Sequence, residues 1–285
     1  MRKTILAASL AAAAFAVPSL AAAQATAAAP ASPHSFSGNM SLVSDYRFRG
    51  ISQTYHKPAL QGGFDYSHSS GFYAGNWNSN INEGAGFPSG NLEMDFYGGW
   101  KNTWGDWGLD LGAIYYAYPG SDANVADLTG PITNPSNGKT HTGRIHNTEL
   151  YIGGSWKWIS LKYYHAISDY FSLPGTKGSH YLDLTGNYDL GNGWGIVGHL
   201  GSFKLKDWAF GGLNINKGSY TDWKLGVTKD LNGWVLGAAY IDTNAKGSCN
   251  AGNPGFYCFS NQAPFGSKTK NASNSTVVVS VSKTF

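Results

Sequence analysis

Polar and apolar residues alternate along most of this chain. In the final stretch, TVVVSVSKTF, Val277, Val279, Val281 and Phe285 fall on one face, and Val278, Ser280, Ser282 and Thr284 on the other. Period two marks a β-strand whose faces meet different surroundings. The same rhythm sets Leu92, Met94, Phe96 and Trp100 against Glu93, Asp95 and Tyr97, and Leu182, Leu184 and Tyr188 against Asp183, Thr185, Asn187 and Asp189. In all, the pattern predicts twelve strands: 36–48, 59–66, 72–80, 92–101, 107–118, 148–158, 159–167, 181–190, 194–203, 221–231, 234–242 and 276–285. Most approach the 9–11 residues that a tilted strand needs to cross a bilayer.

The connections between these strands alternate in length. Short ones fall at 67–71, 102–106, 158–159, 191–193 and 232–233; long ones at 49–58, 81–91, 119–147, 168–180, 204–220 and 243–275. Sorting of loops by parity is the pattern of membrane barrels, with short turns on the periplasmic side and long loops outside. An even strand count puts both ends on the short-turn side. Pairing the first strand with the last removes both sheet edges, which hydrocarbon requires because every backbone group must pair internally. The predicted fold is therefore all-β: a transmembrane antiparallel up-and-down β-barrel of about twelve strands. Tyr66, Trp100, Trp107, Trp156, Trp158, Trp194 and Trp234 cluster beside the short turns, where an interfacial girdle belongs.

Composition sharpens this picture. Charged residues are 13% of the chain, about half the usual share of a soluble domain, while aromatics reach 14% and glycines number 38. The N-terminus reads as an export leader, residues 1–23: Arg2 and Lys3, an apolar run from Ile5 to Leu20, then Ala21-Ala22-Ala23 before the cut. An Ala/Pro-rich periplasmic tail follows over 24–35, and the barrel occupies 36–285. Of the net charge of +3, Arg2 and Lys3 supply two units, so the mature chain carries +1, which is no nucleic-acid footprint. The expected location is the bacterial outer membrane.

The last strand, ending on Phe285, resembles the terminal strand of bacterial outer-membrane barrels, in which a final Phe is part of the signal read by the assembly machinery. Lys283 departs from that pattern, standing where an apolar residue is common. The opening residues, SDYRFRGISQT at Ser44–Thr54, PALQGGFDY at Pro58–Tyr66 and SGFYAGNW at Ser70–Trp77, together with YGGW at Tyr97–Trp100, resemble the TorF family of porin-like outer-membrane proteins. That resemblance implies a Gram-negative outer-membrane barrel and carries little information on what it transports.

Alternation turns a set of polar residues inward as candidate pore lining: Asp45, Arg47, Gln61, Asp65, Glu93, Asp95, Asp110, Glu149, Lys162, Asp183, Lys224 and Thr228, with Arg49 at the outer end of the first strand. Twelve strands stand between filled eight-stranded barrels and wide porins, so both a narrow aqueous channel and a plugged lumen are open readings. Arg47, Arg49 and Lys57 could recruit anionic solutes, touch lipopolysaccharide phosphates, or pair with Asp45. The 119–147 loop, with Asp122, Asp127, His141, Arg144 and His146, could fold inward as a constriction or stay solvated, and its histidines match no ligand motif. Cys249 and Cys258, close together in an exported chain, predict a disulfide.

No catalytic motif or cofactor signature is present: there is no GxSxG, HExxH or phosphate-cradling loop, and His56, His141, His146, His165 and His180 have nothing fixing them together. The leading expectation is a non-enzymatic channel for passive diffusion of small hydrophilic solutes. The alternatives are a non-conducting barrel serving as adhesin, receptor or structural element, and an enzyme acting at the outer rim.

Overall fold

The computed structural model describes residues 32–87, 89–122, 132–133, 140–206, 218–250, 254–260 and 268–285. Twelve antiparallel strands close into one barrel. They are β1 (His34–Val43), β2 (Ala59–His68), β3 (Phe72–Asn80), β4 (Leu92–Trp104), β5 (Trp107–Ala117), β6 (His146–Trp156), β7 (Ile159–Ala166), β8 (His180–Gly191), β9 (Trp194–Lys204), β10 (Tyr220–Leu231), β11 (Trp234–Thr243) and β12 (Thr276–Thr284). Each pairs with its sequence neighbours, and β1 pairs with β12. The leader and most of the predicted tail lie outside the described residues, and β1 starts at His34, two residues before the predicted barrel boundary.

The closing seam is short. β1 and β12 share five residue pairs, from Asn39 opposite Thr284 to Val43 opposite Ser280, whereas β1 and β2 share ten. Phe285 lengthens it: Gly38 N–H donates to its carbonyl at 2.7 Å, and its own N–H donates to the Gly38 carbonyl at 2.9 Å. The Phe285 ring lies against Gly38, where an added Cβ would approach it to 3.0 Å. The inner turns are tight. At Asn232-Gly233 both residues have positive φ, 56° and 84°, as a two-residue hairpin turn of the primed type requires.

The outer wall is apolar. Phe36, Leu42, Phe64, Ile152, Leu200, Leu225 and Val277 all point outward and exposed, and every strand contributes at least one such side chain. A water-soluble monomer rarely shows an apolar patch beyond a few hundred Å², so a belt around the whole circumference is a lipid-facing surface. Trp104, Trp107, Trp156, Trp158, Trp194 and Trp234 are exposed beside the short turns, and Lys157, Lys229 and Lys283 lie over three of these rings at 4.7–5.0 Å. β3 breaks the belt with Asn76 and Asn78. Asn76 Nδ2 donates to the Asp95 carbonyl at 3.1 Å, and Asn78 Nδ2 donates to Asn76 Oδ1 at 2.6 Å, so the amides pair within the wall.

The first strand is shorter than its alternation suggests. The chain leaves the wall after Val43, and Ser44–Pro58 folds into the barrel. Tyr46 and Phe48, expected on the outer face with Met40 and Leu42, are instead buried inside, at 1% and 8% exposure. The physical reason is that an inward-turned ribbon keeps the period-two rhythm while both of its faces meet protein.

Candidate functional site: the filled outer half of the lumen

Two short strands, Arg47–Phe48 and Ile51–Ser52, make a ribbon across the lumen. Arg49 and Gly50 form its turn with φ of 48° and 81°, and a Cβ on Gly50 would come within 2.9 Å of Asp222 on β10. A glycine is therefore required where the ribbon tip meets the far wall. Arg49 in a left-handed conformation costs about 1 kcal/mol or more, strain of a kind that gathers at functional positions.

Arg49 anchors the ribbon. Its two terminal nitrogens donate to Glu149 on β6 at 3.1 and 2.7 Å, a bidentate pair whose side chains are 3% and 0% exposed. The guanidinium also lies 4.3 Å from the Tyr181 ring centroid and 4.7 Å from that of Phe48. Burial alone would disfavour its charge, but the Glu149 carboxylate outweighs that and pushes the Arg49 pKa well up. The base of the ribbon is a second network. Arg47 Nε donates to Asp45 at 2.7 Å, and the Ser52 and Thr54 hydroxyls donate to the other Asp45 oxygen. Burial would raise the Asp45 pKa, yet the hydrogen bond to His56 and the Arg47 charge hold it below the ordinary carboxylate value. Burial, then Glu93 and Asp95, push the Tyr46 hydroxyl pKa well up.

The last loop clamps the ribbon from outside. Arg47 Nη1 donates to the carbonyls of Ala272 and Asn274 at 3.1 and 2.9 Å, and His56 Nε2 lies 3.0 Å from the Asn271 carbonyl. Asn271 belongs to a small ribbon, Cys258–Ser260 against Thr269–Asn271, and Cys258 is in a disulfide with Cys249. The predicted bridge is thus formed, and it staples the loop that holds the plug. The double variant Cys249→Ser, Cys258→Ser is expected to lose about 2–3 kcal/mol of local restraint. Amide exchange should speed up across 258–260 and 269–271 while the barrel strands keep theirs; unchanged exchange there would refute it.

Below the ribbon the lumen is polar and more open. The Tyr73 hydroxyl donates to Asp110 at 2.6 Å, Lys162 pairs with Asp110 at 2.5 Å, and the Tyr97 hydroxyl donates to Asp65 at 2.6 Å. His199 stands between Asp222 at 2.9 Å and Asp183 at 3.4 Å. The Asp110 and Asp183 side chains retain about a fifth of their exposure, unlike those of Arg49 and Glu149. Tyrosines lie flat on the wall over glycines: a Cβ on Gly75 would meet the Tyr97 ring at 2.5 Å, and one on Gly112 would meet Tyr151. This packing keeps rings out of the central space.

The sequence-derived candidates divide between wall and plug. Gln61, Asp65, Glu93, Asp95, Asp110, Glu149, Lys162, Asp183, Lys224 and Thr228 lie on the inner face of the wall, whereas Asp45, Arg47 and Arg49 belong to the inward ribbon. Arg47 and Arg49 are therefore buried ion-pair members, not an exposed cluster at the mouth, and only Lys57 of that trio is exposed. Ser44–Pro58 crosses the lumen, while most of the 119–147 loop, the candidate constriction, lies outside the described residues, at 123–131 and 134–139. Asp127 lies outside the described residues, and of His141 only the backbone is described. Sequence reasoning missed His199 and Asp222, both inward by parity, and Tyr181, whose hydroxyl donates to Asp222 at 2.9 Å. Alternation around Lys224 was the signal that could have found Asp222.

No curated protein matches the chain. Among solved structures, the chain is similar to the COG4313 outer membrane channel from Pseudomonas putida F1, at 11% identity and a TM-score of 0.43, covering 90% of this chain and 97% of that one. It is similar to OmpT, an outer membrane protein of Vibrio cholerae, at 11% identity and a TM-score of 0.38, over 88% of this chain and 97% of that one. It is also similar to Acinetobacter baumannii OccAB4, at 12% identity and a TM-score of 0.39, where it covers 88% of its own length and spans 62% of the other chain, under two thirds. Residues 27–285 match the model of Gcw_chp, described as a bacterial protein of unknown function, and the chain belongs to that family.

Proposed function

We propose that this chain is an outer-membrane channel for small hydrophilic solutes that rests closed, with Ser44–Pro58 as its plug. One observation carries the reading: a charged, partly exposed inner lumen is separated from the loop side, among the described residues, by the Ser44–Pro58 ribbon and the loop residues packed on it, Phe87 and Phe171. The ribbon shares no strand ladder with the barrel; single backbone bonds tie it, from Ser52 N–H to the Ala272 carbonyl and from Asn82 N–H to the Gln53 carbonyl, so it can leave without breaking a strand pairing. Asp95 Oδ1 and Asn147 Nδ2 are buried without a protein hydrogen-bond partner. Each such atom costs about 1–3 kcal/mol if left dry, and a water-filled lumen would satisfy both. The resemblance of Ser44–Thr54 to the TorF porin-like proteins points the same way.

The apolar belt and the tryptophan girdle support the outer membrane as location, with lipid and lipopolysaccharide as surroundings and the barrel-assembly machinery as the route in. Selection would be by size and field, without binding-driven turnover. Planar-bilayer recording tests the proposal. Wild-type protein is expected to be closed with brief openings, and a variant in which 46–54 is replaced by a short Gly/Ser link is expected to conduct in steady discrete steps. A salt gradient should show cation preference, because the wall carboxylates outnumber Lys101, Lys162 and Lys224. A deletion variant that folds and stays silent would overturn the channel reading in favour of a non-conducting surface barrel.

A further inference from the structure

A cavity of about 170 Å³ lies at the loop end of the barrel, between the plug and the loops above it. Its wall is assembled from six separate stretches of chain, among them Phe48 of the plug, Ala85 and Phe87 of the second long loop, Phe171 of the fourth, Phe203 of β9 and Tyr257 of the last. Among the described residues no charged side chain lines it, and Gln53 is its amide. Gly86 on its margin is exposed and Leu173 and Phe256 are half-buried, so the space reaches solvent.

The lining rings stand at steep angles to one another. Tyr170 and Phe171 cross at 86° and Tyr220 and Tyr257 at 83°, with centroids 4.6 and 5.1 Å apart. Such walls offer both ring faces and ring edges, the two surfaces a planar guest can complete with offset or edge-on contacts. The wall between cavity and plug is held by strain. Phe171 has φ 44° and ψ 44°, and Ser172 follows with φ 60°, two consecutive non-glycine residues in the left-handed region. That conformation lodges the Phe171 ring against Phe48, Phe87, Tyr116 and Tyr118 at 5.5–6.2 Å. Strained backbone persists where the surroundings over-determine it, commonly at ligand clamps.

From this geometry we infer that the cavity is a binding site for a neutral, one-ring aromatic molecule. The size fits: an apolar protein cavity of about 150 Å³ takes up benzene. The absence of charge in the lining disfavours the ionic solutes that the inner lumen would accept. The site stands apart from conduction, since a barrel that never opens would still bind.

The test is saturable binding of fluorobenzene to the folded full-length barrel in lipid nanodiscs, followed by ¹⁹F line broadening against empty nanodiscs. Wild type is expected to saturate, and Ala85→Trp, which fills the cavity with an indole, to weaken binding at least tenfold. If Ala85→Trp does not fold, Leu173→Trp fills the same space from the margin and is expected to do likewise. A crystal soaked in bromobenzene should show a bromine anomalous peak between Phe171 and Phe203. Binding no greater than that of empty nanodiscs, or undiminished in a folded filling variant, would overturn the inference.

Discussion

Glu149→Gln should convert a barrel that is mostly closed into one that is mostly open. The Arg49 and Glu149 side chains are 3% and 0% exposed, so removing the carboxylate charge strands a guanidinium in a dry site. Breaking one side of a buried pair typically costs 3–5 kcal/mol, because the surviving charge is left uncompensated. The strand ladders are untouched by this change, so the cost falls on the plug. At about 1.4 kcal/mol per tenfold, the closed-to-open ratio should fall by two to three orders of magnitude, read as open probability in planar bilayers. Arg49→Met should act in the same direction, and should also relieve no strain, because Met dislikes positive φ as Arg does. The double variant should open less than the sum of the two, since neither partner is left alone; the shortfall is the coupling energy of the pair. Open probability unchanged in Glu149→Gln would show that the pair does not latch the plug.

Much of the architecture is legible in the chain. Val277, Val279 and Val281 against Val278 and Ser280 fix a wall strand because lipid and lumen make opposite demands on alternate residues. The parity of connections fixes which end carries the long loops. The disulfide could be read because Cys249 and Cys258 are the two cysteines of an exported chain. The plug was not legible. Tyr46 and Phe48 resume the rhythm of Met40 and Leu42 after one polar residue, Ser44, and nothing local distinguishes lipid from the packed interior as the surroundings of an aromatic ring. The closure also depends on partners far away in sequence, Glu149 a hundred residues on and Ala272 and Asn274 beyond two hundred. Periodicity reports a residue's own surroundings and is silent on which distant group completes them. The Arg49-Gly50 turn falls just past residue 48, where the first strand was expected to end, so it gave no sign that the residues before it had left the wall.

The second large effect concerns the outer wall. Leu225 stands midway along β10, 58% exposed, with Trp223 and Val227 beside it on the same face. Across the ladders it faces Gly198 on β9 and Tyr240 on β11, with no charged side chain directly opposite. Leu225→Arg is expected to destabilise the barrel in lipid vesicles by about 2–4 kcal/mol, the cost of an arginine near the bilayer midplane. Urea unfolding in vesicles measures it, and a lower yield of heat-modifiable folded protein should accompany it. Leu225→Phe, which keeps the apolar contact with lipid, should change little. An arginine in place of Asn187, on the inner face of β8, should also cost much less, because a charge there can reach lumen water. Were Leu225→Arg as stable as wild type in vesicles, the exposed apolar wall would not be in contact with hydrocarbon. The sign of this contrast between outer and inner positions separates a membrane barrel from a water-soluble one, where an added surface charge would be harmless on the outside and disruptive within.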